Sequence, residues 1–174
     1  LIRPDSVVEY LRAKQAGKPV DEAAHKITLA KEVVEVVRQQ KEAGIDIPSD
    51  GEFGKGISWS QYVLERLSGF ERRPFKADGN LWRRGEDRTK FDAFYDEMDA
   101  KEGMATTMDS VCVGPIAYTG QAAVQRDIDN MKAALAAAGV AEGFLPVASP
   151  TSVIPDRRNE YYKTDDDLLQ AIAE

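Results

Sequence analysis

Two carboxylates that flank a glycine form the part of this sequence best suited to chemistry. Residues 49–52 have the sequence Ser-Asp-Gly-Glu and follow the short apolar run 45–48. Gly51 allows a tight turn that would project Asp50 and Glu52 into one crevice. Glu52 is therefore a candidate to bind a substrate ammonium group or to act as an acid or base. Because Asp-Gly is also common in solvated turns, the residues alone leave both interpretations open.

A hydroxyl-rich loop follows another apolar run, at residues 144–148. This loop has the sequence Ser-Pro-Thr-Ser over residues 149–152. The hydroxyls of Ser149 and Thr151 can donate hydrogen bonds to a substrate carboxylate. Gly114-Pro115 is a third place where a ligand can approach the backbone. A structural turn is the better explanation of Gly114-Pro115, whereas ordinary loop chemistry and ligand binding explain residues 149–152 equally well.

Other reactive residue types carry less chemical information. His25 lies in a long amphipathic segment without a metal-ligand partner three or four residues further on, which favours an ordinary helix position. Cys112 lies in an apolar run and is interpreted as a small core residue. Since it is the single cysteine, an internal disulfide and a multi-cysteine zinc site are both excluded within this chain.

Composition limits the classes of function. The chain has 174 residues, a formal net charge of -7 and a sequence pI near 4.9. Proteins that bind phosphate backbones need a basic face, so nucleic acid is not expected as a partner. No apolar run reaches the roughly 20 residues that span a bilayer, and the N-terminus lacks signal-peptide features, so a soluble, cytoplasmic protein is expected. Both ends resemble cut ends, and the chain is expected to be incomplete.

Apolar periodicity predicts helices that alternate with strands. Asp21 can cap a helix that ends at Gly44, and Thr164 can cap the last helix. The apolar runs predicted as strands are 45–47, 110–118 and 144–148. Strands that are apolar almost throughout are typical of a parallel sheet covered by helices, so the predicted fold class is α/β. Residues 1–174 are predicted to form one partial domain, with the charged segment 71–102 as a partly helical insertion.

Five short motifs occur in order along the chain. They are Leu1-Ile2-Arg3-Pro4, the helix end 39–44, the run 45–52, the run 111–116 and the loop 148–151. Together they resemble the cobalamin-independent methionine synthase family, in its short bacterial form that keeps only the catalytic barrel.

The resemblance implies a fold and a reaction. The family has a (β/α)8 TIM barrel, of which this chain would supply the N-terminal half, about strands two to four. Its members hold a zinc ion through His, Cys and Glu residues of later strands, and none of those ligands is in this chain. Zinc keeps the homocysteine thiol as a thiolate, which takes a methyl group from 5-methyltetrahydrofolate. By the motif match, Glu52 contacts the substrate amino group, while Asp50, Ser149 and Thr151 line the same mouth.

Alternatives stay open at this point. Folate-dependent members usually have His before the glycine of the motif, where this chain has Asp50. Related barrels with similar motifs transfer alkyl groups to other thiols such as coenzyme M, so a zinc-dependent thiol alkyltransferase is the main competing enzyme. A decarboxylase of the uroporphyrinogen type would need arginines at the mouth. A non-catalytic half-barrel would expose unpaired edge strands and associate as a homodimer.

Overall fold

The computed structural model describes residues 2–56, 59–74, 86–102, 108–154 and 158–174. In chain order its elements are α1 Asp5–Gln15, α2 Glu22–Glu42, α3 Trp59–Leu64, β1 Phe70–Pro74, α4 Glu86–Lys90, α5 Asp92–Glu102, β2 Met108–Cys112, α6 Gln121–Ala138, α7 Pro150–Val153 and α8 Asp165–Ala173. They fall into two compact units. The first is Leu1–Leu67 with Tyr118–Val153, and the second is Ser68–Ala117 with Ile154–Glu174.

The first unit is built on the long helix α2, which packs against α1 and α6. The predicted N-cap is confirmed, because the Asp21 carboxylate accepts the N–H of Ala24 at 2.9 Å. The helix ends before Gly44, whose φ of 85° lies in the left-handed region that glycine tolerates. Its apolar face forms the core of this unit with residues from the 49–56 loop and α6: Leu29, Val33, Val36, Val37, Phe53, Met131 and Ala134.

Three further helices complete the first unit. Helix α6 ends at Gly139, which has a φ of 62° and closes the helix in the left-handed conformation. The short helices α3 and α7 pack against each other. These helices place the loop 49–56 beside the loop that leads into α7.

The second unit contains a two-stranded sheet. Strands β1 and β2 pair antiparallel, in a register that sets Phe70 opposite Cys112 and Pro74 opposite Met108. Helix α8 is capped as predicted, because Thr164 Oγ1 accepts the N–H of Asp167 at 3.1 Å. The buried cluster of this unit consists of Cys112, Ile154 and Leu168.

The predicted parallel α/β fold, a partial TIM barrel with about strands two to four, is wrong. The described residues contain two strands, and these form an antiparallel pair. Residues 45–47 and 144–148 form no strand. A parallel bridge joins Phe144 to Ser49, which lies two residues after the first run. Prolines at 48 and 146 offer no N–H to a ladder, which is one reason why these apolar runs do not extend into sheet. Of the predicted strand 110–118, residues 110–112 are in a strand, where they form the end of β2.

The charged segment is partly described. It contains the end of β1 and helices α4 and α5, whereas residues 75–85 of the predicted insertion lie outside the described residues. Its interpretation as an insertion in a single domain stays a prediction. Of the helices that the structure describes, none has the length and apolar content needed to cross a membrane.

Candidate functional site

The Ser-Asp-Gly-Glu segment forms a turn with two consecutive residues in the left-handed region. Gly51 has a φ of 68° and Glu52 a φ of 61°. Glu52 is the one non-glycine residue with positive φ in the described part of the chain. This conformation costs a residue with a Cβ roughly 1–2 kcal/mol, so the surrounding contacts must hold it.

Hydrogen bonds from several elements hold this turn. Asp50 Oδ1 accepts the N–H of Glu52 at 2.9 Å. The side chain of Gln40 in α2 pairs with both backbone groups of Ser49, accepting its N–H at 3.0 Å and donating to its carbonyl at 2.8 Å. The Arg3 guanidinium donates to the carbonyl of Gly56 at 3.1 Å and lies 3.4 Å from that of Glu52. The conformation of Glu52 is therefore fixed from its own loop, from α2 and from the N-terminal segment.

The Glu52 carboxylate is paired with a buried lysine. Lys55 Nζ lies 2.6 Å from Glu52 Oε1, and the lysine side chain is 4% exposed while that of Glu52 is 35% exposed. The same ammonium donates to the carbonyl of Pro146 and lies 5.3 Å from the centroid of the Tyr62 ring. Glu52 is thus reachable from solvent, whereas its partner is enclosed.

A second buried ion pair lies next to this lysine. Tyr62 donates its hydroxyl to Asp127 Oδ2 at 2.8 Å, and the Arg66 guanidinium donates to the same oxygen at 3.0 Å. Arg66 also stacks on the Tyr62 ring, with its central carbon 3.5 Å from the ring centroid. Burial, together with the hydrogen bond to Asp127, raises the pKa of the Tyr62 hydroxyl, which keeps it protonated.

The two acidic residues of the turn have different environments. Asp50 is buried, and burial raises the pKa of its carboxyl; the negative charges of Asp127 and Glu52 act in the same direction. The Glu52 N–H and the Lys55 ammonium act in the opposite direction. Asp50 therefore lies in the interior and supports the turn, while Glu52 presents its carboxylate at the surface. A contact between Asp50 and a substrate stays a prediction.

The hydroxyl-rich loop contains a local cluster. Ser149 Oγ lies 3.1 Å from Thr151 Oγ1 and 3.1 Å from Ser152 Oγ. Ser149 also begins the short helix α7, since its carbonyl accepts the N–H groups of Ser152 and Val153. The contact between Lys55 and the Pro146 carbonyl links the carboxylate turn to the segment three residues before Ser149. Binding of a carboxylate by Ser149 and Thr151 stays a prediction.

The structure adds three residues that the sequence analysis did not single out: Lys55, Arg66 and Asp127. A signal for one of them, Asp127, was present in the sequence. Asp127 lies between Val124 and Met131 on the apolar face of α6, and a charged residue at such a position usually has a buried partner. No comparable signal marks Lys55, because its carbonyl partner is 91 residues away.

Cys112 has a raised pKa and His25 a lowered one, although neither residue was assigned a chemical role from the sequence. Burial raises the pKa of the Cys112 thiol, which lies in the core of the second unit. Burial lowers the pKa of His25, whose ring stacks on that of Tyr10 with centroids 3.4 Å apart.

Among the described side chains, no group of three or more His, Cys, Asp or Glu could hold a metal ion. The zinc ion that the resemblance implies, held by residues of later strands, stays a prediction.

Comparison with curated proteins finds a partial similarity. A methionine synthase of Sulfolobus acidocaldarius is 41% identical to this chain over 69 residues. Those residues make up 40% of this chain and 20% of that protein, so the chain matches about a fifth of the length of this curated relative. No protein-family model matches the chain, and no solved structure matches it. Part of the chain is thus similar to a methionine synthase, in agreement with the family named from its motifs.

Proposed function

We propose that this chain forms part of a methyltransferase of the cobalamin-independent methionine synthase type. The proposed reaction moves a methyl group from 5-methyltetrahydrofolate to the thiol of homocysteine. The carbon–nitrogen bond of the donor breaks as the carbon–sulfur bond forms, the thiol loses its proton, and the donor nitrogen takes one up. The partial similarity to a methionine synthase supports methyl transfer in methionine synthesis.

The observation that carries the proposal is the carboxylate of Glu52. Its side chain is partly exposed, and its backbone has a conformation that costs free energy. Such strain is often kept at binding sites, where it fixes a side chain towards a ligand. We assign Glu52 to the ammonium group of homocysteine, in the role that the motif implies.

The carboxylate of homocysteine is assigned to the hydroxyls of Ser149 and Thr151. Lys55 contacts both Glu52 and Pro146, and Pro146 precedes Ser149 by three residues. Three residues span at most about 11 Å, so both loops lie within reach of one small molecule. Asp50 supports the turn from the interior. The described residues supply no zinc ligands as a group, so the proposal gives this chain the amino-acid-binding part of the site and no metal-dependent step.

The test is the binding of homocysteine to the Glu52→Gln variant, measured by isothermal titration calorimetry. A hydrogen bond to a charged group contributes about 1.5–3 kcal/mol, so the dissociation constant should rise at least about tenfold. The variant keeps the size of the side chain and the left-handed backbone. Binding of 4-mercaptobutyrate, which is homocysteine without its amino group, should not change.

A matched control is Glu65→Gln, which neutralises an exposed carboxylate just beyond α3. It should bind homocysteine like the wild type. Equal affinities of the Glu52→Gln variant and the wild type for homocysteine would contradict the assigned role of Glu52. Homocysteine and the methyl donor are the proposed partners, and assembly into a homodimer stays a prediction.

A further inference from the structure

Lys55 is an unusual residue at the candidate site because its ammonium is enclosed. Lysine is almost never fully buried unless it is paired. Here Nζ contacts Glu52 Oε1 at 2.6 Å, the Pro146 carbonyl, and the face of Tyr62 with the centroid at 5.3 Å. Two of these three contacts do not involve Glu52. They keep the ammonium in place when a second group binds to the carboxylate.

The groups around the Lys55 ammonium are themselves held by other residues. Tyr62 is held by its hydrogen bond to Asp127, and its raised pKa keeps the ring a neutral phenol with a π face for the cation. Asp127 is itself occupied by Arg66 at 3.0 Å. The counter-charge available to Lys55 is therefore the Glu52 carboxylate, with buried Asp50 nearby.

A ligand ammonium on Glu52 would meet a resident cation. A carboxylate has two oxygens and about four lone-pair positions, so Oε1 can stay with Lys55 while a ligand binds the other oxygen. Two cations that share one carboxylate lie about 4–6 Å apart and repel each other. An α-amino acid brings its own carboxylate next to its ammonium, and attraction between that carboxylate and Lys55 offsets the repulsion. A simple amine has no such compensation.

We infer that Lys55 is a specificity-determining residue that makes the Glu52 site select zwitterionic amino acids over simple amines. The inference rests on the proposed function, because it requires Glu52 to receive a ligand ammonium group. It concerns the substrate class of the same site. Lys55 acts on the ligand through its fixed charge and is not assigned a catalytic step.

The experiment compares methionine with 3-(methylthio)propylamine, which is methionine without its carboxylate. Both ligands are titrated by calorimetry into the wild type and into Lys55→Met, which removes the charge and keeps an unbranched side chain that is one atom shorter. The wild type should prefer methionine. In Lys55→Met the amine should bind about tenfold more tightly than it binds the wild type, because the repulsion is gone. Binding of methionine should not improve, so the ratio of the two affinities should fall about tenfold or more.

Two further variants test whether the change in the affinity ratio is caused by the charge of Lys55. Lys55→Arg keeps the cation and should retain the wild-type preference for methionine. Lys41→Met removes an exposed lysine that also donates to a distant carbonyl, that of Ala138, and should not change the ratio. Circular dichroism checks that each variant is folded, and Lys55→Gln replaces Lys55→Met if the latter does not fold.

The outcomes separate this inference from the proposed function. An unchanged ratio of affinities in folded Lys55→Met, with homocysteine binding still weakened by Glu52→Gln, would overturn the role of Lys55 alone. A fall in the ratio that Lys55→Arg shares equally would also overturn it, because the charge would not be the cause. Homocysteine binding that does not depend on Glu52 would instead overturn the proposed function.

Discussion

The guanidinium of Arg66 lies 3.0 Å from the carboxylate of Asp127, although 61 positions separate the two residues in the chain. Both side chains are buried. The second oxygen of Asp127 accepts two further hydrogen bonds from Arg126, at 2.8 and 3.1 Å. Since Tyr62 also donates to Asp127, this carboxylate organises the polar surroundings of Lys55. A buried pair of this kind has more effect when one partner is lost than when both are replaced.

Asp127→Ala should therefore destabilise the protein strongly. It leaves the buried Arg66 guanidinium without its carboxylate and the Tyr62 hydroxyl without an acceptor. The free energy of unfolding, measured by urea titration, should fall by about 3–5 kcal/mol. Asp129→Ala is the matched control, because this exposed aspartate two residues further along α6 accepts one hydrogen bond from Gln125. The control should change stability by about 0.5 kcal/mol or less, and equal losses in both variants would contradict the importance of the buried pair.

Gly69 and Gly44 allow a test of close backbone packing, because both have a φ of 85°. A Cβ on Gly69 would lie 2.6 Å from the carbonyl oxygen of Gly114 and 2.8 Å from that of Pro115, whereas a Cβ on Gly44 would meet nothing within 4 Å. Gly44→Ala should lower the free energy of unfolding by about 1–2 kcal/mol, because alanine disfavours the left-handed conformation. Gly69→Ala should lower the free energy of unfolding by about 1–3 kcal/mol more, because the backbone of Gly114 and Pro115 must move to make room for the Cβ. Thermal unfolding of both variants measures the difference, and equal losses would show that the approach to Gly114 is not tight.

The sequence contained enough information for the helices, because their ends depend on local chemistry. Asp21 and Thr164 cap helices through side-chain oxygens that accept N–H groups three residues ahead. Gly44 and Gly139 end helices because glycine tolerates a positive φ. These features need no knowledge of the rest of the chain, so the two ends of α2 and the start of α8 were predicted correctly.

The strands and the buried charges depended on distant partners. Apolar content at 45–47 and 144–148 does not reveal whether a pairing strand is present, and the structure has only a bridge from Phe144 to Ser49, beyond the first run. Strand β2 pairs with β1, whose sequence Phe-Glu-Arg-Arg-Pro was interpreted as part of a charged insertion. In the same way, nothing near Lys55 in the sequence indicates its contact with Pro146. The candidate carboxylates were visible from the sequence, but the cations that surround them were not.

The raised pKa of the Asp50 carboxyl predicts how the stability of the protein depends on pH. Burial, with Asp127 and Glu52 nearby, raises the pKa of its carboxyl in the folded protein above the ordinary value of 3.8, despite the opposing effects of the Glu52 N–H and Lys55. The folded protein therefore holds the proton more tightly than the unfolded chain. The stability contributed by this proton is fully present below pH 3.8 and is lost as the pH rises through the folded-state pKa. Within that window the loss is at most about 1.4 kcal/mol per pH unit.

Asp50→Asn should remove this dependence, because the amide keeps an oxygen for the N–H of Glu52 and carries no charge. The free energy of unfolding of the variant relative to the wild type should therefore shift in favour of the variant as the pH rises from about 4 to 7. Urea titrations at intervals across this range measure the shift. Asp46→Asn, at an exposed position four residues earlier, accounts for the change in net charge. If the difference between the Asp50→Asn variant and the wild type stays constant with pH, or shifts towards the wild type, the carboxyl of Asp50 does not carry a raised pKa. The effect of its burial would then be offset by the hydrogen bond from the Glu52 N–H and by the charge of Lys55.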